Sequence, residues 1–287
     1  MFSAETEELI AEGWRLRRLN FDDTIYFDYP VQTRSISLTG RACSLQCKHC
    51  GGHYLEGMQP IEQVAAALPF RSALVSGGCT REGKVPFAKH LDRLHELKQQ
   101  VRLNFHVGLV DDQEIAMLRG LADTVSFDFV GDRETISEVY GLQQGPEDYV
   151  RVYQALRETV PVMPHLTLGL RGGRWSGEEK ALDLLAEAGL DGLTFLVFIP
   201  TPGTVYADRQ PPALEEVVRF LAQARCRFPT IPLALGCMRP KGRYREALDA
   251  AAVALGLNRI VLPAPAARSL AAERGLNPQR GEECCAL

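Results

Sequence analysis

The chain has 287 residues, 46% hydrophobic and 24% charged. That balance excludes disorder and fits one large α/β barrel. A formal net charge of −4 excludes a broad nucleic-acid footprint, and no apolar run reaches the roughly 18 to 20 residues that cross a bilayer.

Residues 1–9 are acidic and lack a basic n-region and an apolar h-region, so no signal peptide is read and a cytoplasmic location is expected. In that reducing compartment the eight cysteines point to metal or catalysis before disulfides. An N-terminal extension over 1–30 is predicted to hold a helix at 4–19. Eight β-rich runs follow, at 34–38, 73–76, 102–107, 124–129, 162–168, 193–199, 233–235 and 259–262. Helical patterns lie between them. Leu91, Leu94 and Leu97 form one apolar stripe, Leu182, Leu185 and Ala188 a second, and Val217, Val218 and Leu221 a third, each suited to packing on a sheet. About eight βα units in roughly 240 residues predict a (β/α)₈ TIM-type barrel over 31–275. An open barrel of six units is the alternative. Residues 276–287 are expected to form a tail over the barrel mouth. A barrel places its chemistry on the loops after the strands, so those loops are taken in turn.

The first strand runs into ISLTGRACSLQCKHCGG, with Cys43, Cys47 and Cys50 at spacing CxxxCxxC. Random placement of eight cysteines yields this spacing about 0.006 times per chain. Three thiolates on one loop can hold an iron–sulfur cube and leave one iron open. Structural zinc is the alternative, with His49 or His53 as a fourth ligand. Motif and position resemble those of the radical S-adenosylmethionine (SAM) enzymes, over residues 31–275. The resemblance implies a [4Fe–4S] cluster on Cys43, Cys47 and Cys50. It implies SAM chelated at the open iron, and a 5′-deoxyadenosyl radical that abstracts hydrogen from an unactivated C–H bond. His49 replaces the aromatic residue that family members usually pack on the adenine.

The second strand ends in SGGCT. By the resemblance Gly77 and Gly78 approach the amino group of SAM, and Cys79 stands where the family carries glutamate. Alternation places Asn104 and His106 on one face of the third strand, and Ser126 and Asp128 on one face of the fourth. Those faces suit ligand contact, Asp128 toward ribose hydroxyls. His165, Thr167 and Gly169 share a face of the fifth strand, and Arg171 beyond it is a candidate partner for the SAM carboxylate; a solvated surface role is the alternative. The sixth strand enters IPTPGT, whose resemblance to biotin-synthase-like enzymes implies Ile199 against adenine. The seventh enters GCMRP, which sets Cys237 at the barrel top.

Cys79 and Cys237 at strand ends, with Cys284 and Cys285 in the tail, are candidates for a second [4Fe–4S] cluster across the cavity. The last four residues also match a prenylation box formally, but no polybasic segment precedes them and Glu282 and Glu283 are adjacent. A functionless tail is the other alternative.

The runs SGGC, FHVGLV, PHLTLGL, LGCMRP and the terminal ECC resemble one chain of the split, two-protein lipoyl synthases. That resemblance implies sulfur insertion at C6 or C8 of an octanoyl chain on a lipoyl-carrier protein, with the second cluster as sulfur donor. It implies a partner radical SAM chain and an electron donor of ferredoxin or flavodoxin type; no nucleic acid and no membrane are expected. A radical SAM mutase or lyase acting on an amino acid is the alternative enzyme, and a zinc-bound scaffold is the alternative without catalysis.

Overall fold

The computed structural model describes residues 2–65 and 68–287. All eight expected strands form, each end within two residues of its expected place. They are β2 (Thr33–Ser37), β4 (Ser72–Ser76), β5 (Arg102–Phe105), β6 (Thr124–Asp128), β7 (Val162–Leu168), β8 (Leu193–Val197), β9 (Leu233–Leu235) and β10 (Arg259–Val261). Three more join them: β1 (Thr24–Asp28), β3 (Gln59–Pro60) and β11 (Asn277–Gly281). The helices are α1 (Ala4–Asn20), α2 (Leu91–Lys98), α3 (Asp112–Leu118), α4 (Arg133–Thr135), α5 (Pro146–Arg157), α6 (Glu178–Ala188), α7 (Leu214–Arg227), α8 (Arg243–Ala254) and α9 (Pro265–Glu273).

Every ladder is parallel, in the order β11-β1-β10-β9-β8-β7-β6-β5-β4-β2-β3. The outer strand positions build the core. Phe127 of β6 lies 6.1 Å from the ring of Tyr149 and 6.2 Å from that of Tyr153, both on α5. Phe105 of β5 meets Phe87 at 5.8 Å. Helix α1 packs on α7, and Gly13 lets it approach the loop after α8, because a Cβ there would stand 2.6 Å from the Leu255 carbonyl oxygen. No helix among the described residues is long and apolar enough to cross a membrane.

Three expectations need correction. The expected eight-stranded closed barrel is instead an eleven-stranded curled sheet. Its seam between β11 and β2 is bridged by Gln32 N donating to Glu282 O (2.8 Å) and Cys284 N donating to Thr33 Oγ1 (2.7 Å). Part of the N-terminal extension is a sheet strand, since β1 pairs with both β10 and β11. The tail does not lie over the mouth. Residues 277–281 pair in parallel with β1, and the following residues meet the beginnings of strands: Glu282 with Arg71, Glu283 with Arg102 and Cys284 with Thr33. The reason is register. A parallel strand added beside β1 leads the chain to the starts of β2, β4 and β5, at the floor of the barrel.

Candidate active site

The inner faces of β5, β6 and β7 are polar, where a closed barrel would be filled with branched apolar side chains. His106 Nε2 stands 3.0 Å from Asp128 Oδ2, and His165 Nδ1 lies 3.8 Å from Asp128 Oδ1. The Asp128 side chain remains 41% exposed, so the group faces an open lumen. Burial pushes Asp128 upward, but His106, His165 and His49 around it prevail and hold its carboxyl at about 2. Burial lowers His165 to about 4, and Asp128 only partly opposes it. Burial also lowers His106, but there the Asp128 partnership prevails and the net shift is upward. The expected pairs Asn104/His106 and Ser126/Asp128 therefore do meet across neighbouring strands. Asn104 Nδ2 donates to Ser126 Oγ at 2.9 Å, and Ser126 N donates back to Asn104 Oδ1 at 3.1 Å.

Cys43, Cys47 and Cys50 lie on the loop after β2. Ser44 N donates to Cys79 O (2.8 Å) and Gly78 N to Thr39 Oγ1 (2.6 Å), which docks this loop on the end of β4. Gly78 is required there for close approach: a Cβ would stand 1.9 Å from Ala42 O and 2.6 Å from Cys43 Cα. Gly77 is tight as well, with Thr39 Oγ1 3.1 Å from its would-be Cβ. The Cys47 thiol donates to Cys50, which raises Cys47 and lowers Cys50 to about 7. His49 sits edge-on to Tyr140 at 5.6 Å, its Nδ1 buried without a partner, and burial lowers it to about 4. His53 is instead paired with Glu56 at 3.8 Å.

The four cysteines expected to form a second set come from three parts of the chain, the ends of β4 and β9 and the tail. Burial raises Cys79 to about 12, with Cys43 and Cys50 adding to the rise. Cys79 thus stands beside the loop thiols. Cys237 is raised by burial and by Cys284, and Cys285 by Cys284 and Cys237. A hydrogen bond from Cys285 lowers Cys284 to about 6. Cys43, Cys47, Cys50 and Cys79 lie beside the ends of β2 and β4, Cys284 and Cys285 reach the floor, and Cys237 stands just past the end of β9, where Met238 O accepts from Val197 N at 2.9 Å. Among the described residues no three His, Cys, Asp or Glu side chains converge on a point fit for a single metal ion.

Arg171, expected to meet a SAM carboxylate, is occupied otherwise. Its Nε donates to Glu138 and its Nη1 to Glu134, both at 2.6 Å. Ile199 is half-buried at the start of the loop after β8, and its carbonyl accepts from Thr201 Oγ1 at 3.1 Å. Sequence reading missed Glu138, Tyr206, Arg259 and Asp28. Arg259 Nη1 donates to Asp28 Oδ2 (3.2 Å) and to Cys285 O (3.0 Å), which ties the tail to β1 and β10. The only sequence signal for these residues is their place at strand ends or in the loops after them.

No family model matches the sequence, and no curated protein matches it. Solved structures do. Methylornithine synthase (PylB) superposes with a TM-score of 0.68 at 14% identity, over 98% of this chain and 91% of that one. The FeFe-hydrogenase maturase HydG from Carboxydothermus hydrogenoformans gives 0.65 at 12% identity, over 96% and 72%. SuiB from Streptococcus suis, bound to S-adenosylmethionine, gives 0.56 at 13%, over 76% and 52%. At these identities what is shared is the fold.

Proposed function

We propose that this chain is a radical SAM enzyme that inserts sulfur into an unactivated C–H bond. One observation carries the reading: thiols after β2, β4 and β9 and in the tail surround one polar lumen in a fold shared with a SAM-bound protein. Cys43, Cys47 and Cys50 would hold the SAM-binding [4Fe–4S] cluster. The donor set fits, since three thiols lie on one loop docked against β4. Cys237, Cys284 and Cys285 would hold the auxiliary cluster, with Cys79 left beside the first. When bound, the cofactors supply a one-electron route to C–H cleavage and a source of sulfide.

The chain's own residues do the rest. Gly77 and Gly78 keep the cysteine loop close against β4. Asp128, held ionised, presents an acceptor to hydroxyl or amino donors in the lumen. His49 and His165 stay neutral at physiological pH. The tail closes the floor and limits access from that side. An octanoyl chain carried on a lipoyl-carrier protein is the leading substrate, with C6 or C8 the site of attack, because the strand-end runs resemble those of split lipoyl synthases. A partner chain would insert the other sulfur, and a ferredoxin or flavodoxin would deliver electrons.

The test is iron and sulfide per chain after anaerobic reconstitution, in wild type and in the Cys43/Cys47/Cys50→Ala variant, followed by mass spectrometry of an octanoylated carrier after turnover. Roughly eight irons falling to roughly four, with sulfur added to the carrier, is expected. An unchanged carrier mass, with deoxyadenosine formed on another substrate, overturns the sulfur assignment.

The polarity of the lumen and the likeness to methylornithine synthase favour a second reading, a radical SAM mutase or lyase acting on an amino acid. Reversible use of SAM with about four irons and no sulfur loss distinguishes it.

A further inference from the structure

The loop after β6 contains an uncommon turn. Residues Ile136–Tyr140 form a π-helix, a wide geometry found mostly as single turns at functional sites. Glu138 sits inside it. Its carboxylate accepts from Arg171 Nε at 2.6 Å, Arg174 Nη2 at 2.8 Å and Tyr206 Oη at 2.7 Å. One side chain thus ties together the loops after β6, β7 and β8.

The loops after β6 and β8 meet at Lys48, the residue after Cys47. Lys48 N donates to Val139 O at 2.9 Å, and Lys48 O accepts from Tyr206 N at 3.0 Å. Val139 follows Glu138 in the chain, and Tyr206 is its hydrogen-bond partner. The backbone N–H and C=O of Lys48, inside the Cys47–Cys50 turn, are therefore both gripped by groups that Glu138 orients. Tyr140, at the end of the same turn, packs on His49. Tyr206 is 2% exposed and lies edge-on to Phe198 at 5.9 Å, so its ring cannot swing to another partner without opening the core.

We infer that Glu138 is a positioning residue for the Cys47–Cys50 turn, an inference that rests on the reading of that turn as a cluster site. It touches neither thiol. It acts through Tyr206 and the Val139 carbonyl, and it fixes the angle at which Cys47 and Cys50 face the lumen. A clasp that only stabilised the loops would loosen everything near them when removed. A positioning clasp changes the Cys47–Cys50 turn selectively.

The experiment uses the full chain, apo and reconstituted, in wild type, Glu138→Gln, Glu138→Ala and Tyr206→Phe. In the apo protein, iodoacetamide alkylation is followed cysteine by cysteine by mass spectrometry. Glu138→Ala is expected to raise the rates at Cys47 and Cys50 about tenfold, the effect of losing one charge-assisted hydrogen bond on a local opening equilibrium. Cys237, Cys284 and Cys285 should keep their rates. Glu138→Gln, which can still accept from Tyr206, should fall between wild type and alanine. In the reconstituted protein, the electron paramagnetic resonance spectrum of the reduced cluster should shift in the same order.

Unchanged rates at Cys47 and Cys50, or an equal rise at all cysteines, overturns the inference. If Glu138→Ala does not fold, the Gln and Tyr206→Phe variants carry the comparison. If wild type binds no cluster, the functional reading fails, and the alkylation rates still decide the role of Glu138.

Discussion

Asn104 donates through Nδ2 to the sulfur of Cys284 at 3.3 Å, joining the middle of β5 to a residue in the last turn of the chain. Asn104 is fully buried, and its other contacts are to Ser126. The polar floor of the lumen is therefore completed by the tail, which brings thiols with it.

Removing residues 282–287 should take away Cys284 and Cys285 and one hydrogen-bond partner each of Thr33 and Asn104. In the reconstituted protein, iron should fall from roughly eight to roughly four per chain while the mouth cluster remains. Iron analysis beside the spectrum of the reduced mouth cluster checks this. Retention of all eight would place the second cluster elsewhere.

Gly78→Ala should disable the mouth site selectively. The new Cβ meets the backbone of Ala42 and Cys43, which cannot rotate away as a flexible side chain would. Overpacking of this kind costs about 1–3 kcal/mol. The circular dichroism of the sheet should survive, and the mouth cluster should fail to assemble. Normal loading would show that the loop can shift without loss.

Acid should weaken the Glu138 clasp. Burial pushes this carboxyl up, but Tyr206, Arg171 and Arg174 outweigh it and hold it at about 2, against an ordinary 4.5. A depressed folded value means that the contribution is complete above 4.5 and is lost as pH falls from 4.5 toward 2. The gap in melting temperature between wild type and Glu138→Gln, which cannot titrate, should narrow across that window. A constant gap would mean that the charge contributes nothing.

Arg239 and Asp249 form a fully buried pair at 2.6 Å, and Asp249 also accepts from Ala264 N at 2.8 Å. Arg239→Met leaves the buried Asp249 with only the more distant Arg245, at 3.9 Å, as a cationic partner, which should destabilise the chain by about 3–5 kcal/mol. Adding Asp249→Leu should recover part of that loss. Urea unfolding of the single and double variants measures both. Because Arg239 stands two residues after Cys237, the single variant should also reduce iron at the auxiliary site.

Local signals carry some of this protein and not the rest. The eight strands were legible because a parallel strand covered on its outer face leaves a compact apolar run. The CxxxCxxC loop was legible because its cysteines are close in sequence, and the shared faces of Asn104 with His106 and of Ser126 with Asp128 followed from the two-residue period of a strand. The position of the tail was not legible. Asn277–Gly281 reads as polar loop, and only its register on β1 sends Cys284 to the floor. The contact of Cys79 with the cysteine loop, and the capture of Arg171 by Glu134 and Glu138, also depend on tertiary contacts. Sequence by itself placed the candidate residues on their strands and loops. The tertiary structure decided which of them meet, because register, curvature and ion-pair competition between distant loops leave no local trace in the chain.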